Sequence, residues 1–324
     1  MTDGEPVGDP LKIGVVMDPI QSINIKKDST FAMLLEAQRR GHTLAYMEPG
    51  NLWVDQGDPW GHQRPLTVED NPAGWFQLGD AVATPLAELD VILMRKDPPF
   101  DIEYVFDTYV LERAEQAGVL VVNRPAALRD INEKAYIAWF PDLTPQTLIA
   151  RDRQVLKDFV HAQGDAVIKP LGGMGGESIF KVSSADSNLN VILETVSHDG
   201  RKLIMAQGYV QEITEGDKRV LIVNGEPIPY ALARIPAADD FRGNLAKGGT
   251  GKAVPLSEAD LAIASRVGPV LKEKGVLFAG IDVIGDRLTE INVTSPTCIR
   301  ELDAAHDLNI AGQLFEVIED IRRQ

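Results

Sequence analysis

The chain has 324 residues, 44% of them hydrophobic and 25% charged, the composition of an ordinary core-forming protein with room for one large domain or two to three smaller ones. Acidic residues outnumber basic ones by 48 to 32, and the net charge of −16 argues against broad contact with nucleic acid or an anionic membrane surface, so an anionic ligand needs a local basic site. A single cysteine, Cys298, precludes an internal disulfide and fits a reducing compartment, the cytoplasm, and no apolar run approaches the roughly 20 residues of a membrane helix.

Residues 1–11 are acidic and bear Gly and Pro, and read as a loose tail without the marks of a signal peptide. From Lys12 the run KIGVVM reads as a buried strand. Asp28 and Ser29 then cap an amphipathic helix with Phe31, Leu34 and Leu35 on one face, ended by Gly41. A strand near Thr43–Met47, an excursion rich in Pro, Gly and Trp, a strand at Leu89–Arg95, a helix around Glu103–Ala117 and a strand at Gly118–Asn123 follow. Strands alternating with helices predict a mainly parallel open α/β sheet, covered on both faces, over 12–131. Beyond Pro125 the pattern shifts to short strands joined by turns, an α+β arrangement with antiparallel sheets. Asn224-Gly225 is a hairpin signal between two of them. Helices are expected near Ser257–Lys274 and Asn309–Ile321, around a final strand pair, Val276–Ile284 and Arg287–Val293.

Three clusters carry chemistry. Lys169 ends an apolar strand and is followed by Gly172, Gly173, Met174, Gly175 and Gly176, so bare backbone N–H groups and an ammonium can meet one anion. A flexible turn would use the same glycines. The segment lacks the GK[ST] of a P-loop, and no dinucleotide fingerprint follows the first strand. Asp282 lies across the final hairpin from Glu290 and Asn292, which face one side of their strand while Ile291 packs inward. These oxygen donors suit magnesium; solvated strand residues are the plainer alternative. The third cluster is basic. It comprises Asp217-Lys218-Arg219, Arg234, and Arg242 within a run holding Gly243, Gly248, Gly249 and Gly251, and it suits either neutralisation of a transferred phosphoryl group under a mobile lid or simple surface solubility.

Over essentially its whole length the sequence resembles the bacterial glutathione synthetases, a family of ATP-grasp ligases. The resemblance rests on VMDPIQSINIKKDSTFAMLLEAQRRG, DVILMRKDPPFD, NRPAALRDINEK, IKPLGGMGG, GDKRVL, LARIPAADDFRGNLAKGGTGK and IGDRLTEINVTSPTCIRE. It implies an open α/β domain at 12–131, a central ATP-grasp part at 132–210 and a C-terminal part at 211–324. It also implies ligation of γ-glutamylcysteine to glycine at the expense of ATP, through an acyl phosphate, in a homotetramer. Lys134 and Lys169 would meet the nucleotide phosphates under the glycine loop. Gln207, Gly208, Tyr209 and Val210 would lie along the adenine, with only backbone contact expected at Gly208, where the family often has a larger polar residue. Asp217 would contact the ribose or support the site. Arg219 and Arg234 would face the phosphoryl group, and Asp282, Glu290 and Asn292 would hold two magnesium ions, with manganese as an alternative. Asp18, Ser22, Asn24 and Arg95 would form the peptide side, with Ser295, Thr297 and Arg300 near a substrate carboxylate; turn and capping roles are open for each of these. Cys298 is expected to be a packed thiol, and no histidine is assigned to zinc.

Overall fold

The computed structural model describes residues 9–173, 175–236 and 250–324, which form three sheets. The first holds β1 (Lys12–Val16), β2 (Thr43–Met47), β3 (Leu52–Asp55), β4 (Asp58–Val68), β5 (Phe76–Leu78), β6 (Val82–Pro85), β7 (Val91–Met94) and β8 (Leu120–Val122). Its spine, β2-β1-β7-β8, is parallel, as expected. The Pro, Gly and Trp excursion departs from the expectation: it supplies four strands, with β4 antiparallel to β2 and carrying β3, β5 and β6. Inward positions of β4 include Pro59, Gly61 and Gln63, so its period of two is real in burial yet nearly silent in hydrophobicity.

Helix α1 (Ser29–Arg39) begins at Asp28, whose carboxylate accepts the Phe31 N–H at 2.6 Å, and it stops before Gly41 at φ +86°. Alternate residues of the spine enter opposite cores. Ile13, Val15, Val91 and Leu93 meet Phe31 and Leu34 of α1 and Leu314 and Phe315 of α8 (Ile310–Arg323). Val16, Ile92 and Met94 turn the other way, with Leu111 and Ala114 of α2 (Ile102–Gln116). Each such buried side chain contributes about 1.5–3 kcal/mol.

A short α3 (Pro125–Asp130) leads to the second sheet, β9 (Thr147–Ala150), β10 (Asp165–Pro170), β11 (Phe180–Ser183) and β12 (Ile204–Gly208), in the order β11-β10-β12-β9. With α4 (Arg153–Gln163) and α5 (Leu189–Ser197) it closes a separate small core around Leu156, Ile168 and Leu193. The third sheet is β13 (Asp217–Val223), β14 (Glu226–Ile235), β15 (Thr250–Pro255), β16 (Phe278–Ile284) and β17 (Arg287–Asn292), in the order β15-β14-β13-β16-β17. Helix α6 (Glu258–Glu273) covers one face through Ile263 and Val267, and α7 (Ile299–His306) the other through Ile299 and Leu302. Both cores of the third sheet are continuous with those of the first, whereas the second sheet has a small core of its own on one face and joins the shared core on the other through Met205 and Ile149.

Asn123, at the end of β8, joins the first and third sheets. Its amide donates to the carbonyls of Phe278 and Val293 at 2.7 and 2.6 Å and accepts from the N–H groups of Leu277 and Phe278 at 2.9 and 3.0 Å. All four of its hydrogen-bonding positions are therefore used.

Candidate active site

Strand β10 delivers Lys169 at 7% exposure, and the chain then turns through Gly173, Gly175 and Gly176 at φ of +104°, +62° and +76°. Only glycine takes such a run without strain. Burial pushes the Lys169 ammonium below the usual lysine range, and among the described residues it has no hydrogen bond or ion pair. Lys134 stands at the head of a 3-10 turn, Ala135–Trp139, with its Nζ on the Gly173 carbonyl at 3.1 Å, paired to Glu133, and 3.9 Å from Glu290 Oε1. Burial alone would lower this ammonium, but Glu290 and Glu133 outweigh it and hold it above the ordinary lysine value. Glu133 escaped the sequence reading; the signal was its place beside Lys134. Met174, Arg242, Gly243, Gly248 and Gly249 lie outside the described residues.

On the third sheet, register sets the chemistry. The β13–β14 hairpin turns at Asn224 and Gly225, both at positive φ, and pairs Asp217 with Arg234; β16 then places Asp282 opposite Arg219 and Glu290. Arg219 grips Asp282 with Nε–Oδ1 at 2.5 Å and Nη2–Oδ2 at 2.9 Å. Arg234 bridges the two acids, with Nε 2.6 Å from Asp217 Oδ1 and Nη2 2.8 Å from Asp282 Oδ2. Gly280 leaves room for this packing, since a Cβ there would lie 2.6 Å from Arg219 Cδ and 3.1 Å from Pro296 Cβ. Burial opposes the Asp282 charge, but Arg219 and Arg234 override it and hold the carboxyl far below its usual range. Burial keeps Asp217 at about 6 despite Arg234. Asp282 is therefore not a free ligand: its oxygens are already held by guanidinium groups.

The two clusters meet at one cavity of about 240 Å³, lined by Lys134, Gly175, Gly176, Arg219, Arg234, Glu290 and Asn292, and on its far side by Asp97, Pro98 and the turn 294–298. Ser295 and Thr297 are thus in place. Arg95 is not: at 5% exposure it donates to Thr30 Oγ1 at 3.0 Å and to the Pro296 carbonyl at 2.9 Å, bracing that turn from behind. Arg300 points elsewhere, to Asp70 at 2.6 Å. Asp18 accepts from the Asp97 N–H at 2.9 Å and pairs with Lys96 at 3.0 Å, tying the opening loop to the loop after β7, whereas Ser22 donates to the Pro19 carbonyl at 2.7 Å and Asn24 accepts from the Lys26 N–H at 3.2 Å, which are turn roles. Gly251 sits in β15 opposite Arg234. Gln207 is buried against Thr147 at 3.0 Å, and Gly208, Tyr209 and Val210 continue from the end of β12, where a Cβ on Gly208 would lie 2.9 Å from Gln163 Oε1. Cys298 borders the cavity at 1% exposure, its thiol pushed up by burial.

A glycine loop and paired lysines facing a carboxylate–amide edge and two guanidinium groups, between two antiparallel sheets, define an ATP-grasp ligase. Solved structures agree on the fold: D-cycloserine synthetase DcsG superposes with TM-score 0.66 at 14% identity over 96% of this chain and 99% of that one. The ATP-grasp ligase PsnB, complexed with its minimal precursor, gives 0.62 at 19% identity over 96% and 99%. Residues 11–129 match the N-terminal domain of prokaryotic glutathione synthetase and residues 133–307 match its ATP-grasp domain. The glutathione synthetases of Shewanella oneidensis and Escherichia coli K12 are 58% and 57% identical over 309 residues, 95% of this chain and 98% of each relative. The chain belongs to the prokaryotic glutathione synthetase family. Its activity is ATP-dependent ligation in glutathione synthesis, with a divalent metal, and no helix among the described residues is long and apolar enough to cross a membrane.

Proposed function

We propose that this chain joins γ-glutamylcysteine to glycine through an acyl phosphate, with the shared cavity as the reaction chamber. What carries the reading is convergence: the loop after Lys169, the Lys134 turn, the guanidinium pair and the Glu290–Asn292 edge open on one space. Lys134 and Lys169 take the nucleotide phosphates, with N–H groups of the 172–176 loop beside them, and the adenine lies along 207–210. Arg219 and Arg234 are oriented by Asp282 and Asp217. Their remaining N–H groups face the γ-phosphoryl group and then the tetrahedral oxyanion. The cysteinyl carboxylate attacks the γ-phosphorus and ADP leaves. The glycine amine attacks the acyl carbon, phosphate leaves with the C–O bond, and the amide is formed. Asp217 acts by holding Arg234 rather than by reaching the ribose.

The donor set fits a divalent cation. Among the described residues four cations, Lys134, Lys169, Arg219 and Arg234, stand against five carboxylates, Glu133, Asp217, Asp282, Glu290 and Asp97. Formally one negative charge is left over, so a polyphosphate needs further positive charge. Glu290 and Asn292, with an oxygen of Asp282 released from a guanidinium bond, would hold magnesium, or manganese, as two ions. When bound, the metal neutralises the phosphates and orients the γ-group. We further read the chain as three parts, 12–131, 132–210 and 211–324, each with its own sheet, working as a cytoplasmic homotetramer.

The test is phosphate release from ATP and magnesium with γ-glutamylcysteine, with and without glycine, and product mass. Glutathione and phosphate in equal amounts support the proposal; phosphate without that product points to another acceptor. Cys298→Ser is expected to keep turnover within about twofold, because a buried thiol with a raised pKa is a poor nucleophile. A correctly folded but inactive variant would overturn the mechanism.

A further inference from the structure

Three carboxylates reach the cavity: Glu133, Glu290 and Asp97. The first is paired to Lys134 and the second lies 3.9 Å from the same ammonium. Asp97 differs from both. Its backbone is fixed twice, the N–H donating to Asp18 Oδ2 at 2.9 Å and the carbonyl accepting from Lys96 Nζ at 2.5 Å, while Lys96 is itself paired to Asp18 at 3.0 Å. Its carboxylate makes no hydrogen bond or ion pair among the described residues. Arg95, the buried cation electrostatically coupled to it, commits Nε and Nη2 to Thr30 and Pro296. A backbone tied at two points thus presents to the chamber a carboxylate that Arg95 reaches only through space, its hydrogen-bonding capacity unspent.

Resting on the function proposed above, we infer that Asp97 binds the α-ammonium of the γ-glutamyl residue. The reacting carboxyl and the incoming glycine nitrogen must both lie by Arg219 and Arg234. The remaining cationic group of the substrates is the glutamyl α-ammonium, which the γ-linkage leaves free. It sits at the other end of the dipeptide, beyond the γ-linkage and roughly 9 Å away when extended. Asp97 and Pro98 are the part of the chamber wall contributed by the loop after β7. An ammonium–carboxylate contact in the same chamber as the chemistry holds the donor in register and rejects acyl donors that lack the amine.

Steady-state kinetics of the wild type, Asp97→Asn and Asp97→Glu with γ-glutamylcysteine and with glutarylcysteine, its analogue lacking the amine, test this. Asp97→Asn is expected to raise the dipeptide KM about tenfold, with the KM for ATP and glycine, and the melting temperature, unchanged. The wild type should lose a similar factor on glutarylcysteine, Asp97→Asn should lose nothing more, and Asp97→Glu should recover part of the dipeptide affinity. An unchanged dipeptide KM, losses that multiply, or a rise confined to glycine would overturn the assignment. So would a lowered melting temperature without a KM change, which would make Asp97 a counter-ion for Arg95. A wild type that makes no glutathione sinks the underlying function and this inference together, and that failure shows before any variant is compared.

Discussion

Lys169, which leads into the glycine loop that lines the chamber, and the knot of Asp217, Arg219, Arg234 and Asp282, whose two arginines line it, are both buried cationic features, yet they are held in opposite ways. In the knot every guanidinium has a carboxylate within 2.9 Å, so its charge is compensated before any ligand arrives. Lys169 has no such partner among the described residues. Its desolvation is only partly offset, through space, by Glu290, Asp217 and Asp282, and an anion would relieve it. The knot is therefore a preorganised element that serves the transition state, and the lysine is a ground-state binding element whose strain ATP removes. The knot sits on the sheet whose two faces share the cores of the first sheet, whereas the lysine sits on a sheet with one face in its own small core and the other reaching the shared core through Met205, the residue opposite Lys169.

The largest effect should come from breaking the knot. Arg234→Ala leaves Asp217 buried without its ion pair and Asp282 with Arg219 alone, and about 3–5 kcal/mol of stability is expected to go. Turnover is expected to fall by about 10²–10³ while ATP affinity, measured on the folded fraction by calorimetry, falls far less. Equal losses of ATP affinity and turnover would assign Arg234 to binding and dissolve the contrast. Lys169→Met should move stability the other way. Removing an unpaired buried cation for an apolar chain of similar length is expected to gain about 1 kcal/mol, while the KM for ATP rises tenfold or more. A destabilised Lys169→Met protein would mean that the lysine is compensated after all.

Much of this architecture could be read from the sequence because it depends on short-range pattern. The runs KIGVVM and DVILM fix the parallel spine, Asn224-Gly225 fixes a hairpin register, and the alternation of Glu290, Ile291 and Asn292 sends two donors to one side. What could not be read depends on pairing across strands. The counter-ions of Arg219 and Arg234 follow from a register that joins residues up to 63 positions apart. Arg95 resembles a ligand in sequence because an arginine after a strand does not reveal that a carbonyl 201 residues later will take its N–H. Strand β4 stayed hidden because Pro, Gly and Gln occupy inward positions that a hydrophobic pattern would mark. Asp97 drew no notice because its distinction is a missing partner, which only the packed structure defines.

The smallest but most selective effect is on pH dependence, where the two features should act at opposite ends of the scale. Asp217 has its folded pKa raised by burial to about 6 from an ordinary 3.8, so its contribution is complete below 3.8 and is lost as pH rises through 6. Asp282 is held below 3.8, with Arg219 and Arg234 overcoming the burial that would raise it. Its contribution is complete above 3.8 and is lost as pH falls through the folded value. Together they place the best stability of the knot at about pH 4, with the Asp217 contribution falling away from there to about 6. Lys169 is lowered by burial from 10.5, so its contribution is complete above 10.5 and is lost as pH falls through its folded value, leaving a net cost at neutral pH. Urea midpoints of the wild type and Lys169→Met, taken from pH 4 to 10, should run parallel on the acid side. Toward pH 10 they should converge, as the wild type sheds the cost of its buried charge. Convergence on the acid side instead would place the uncompensated charge in the knot and reverse the assignment of which region waits for ATP.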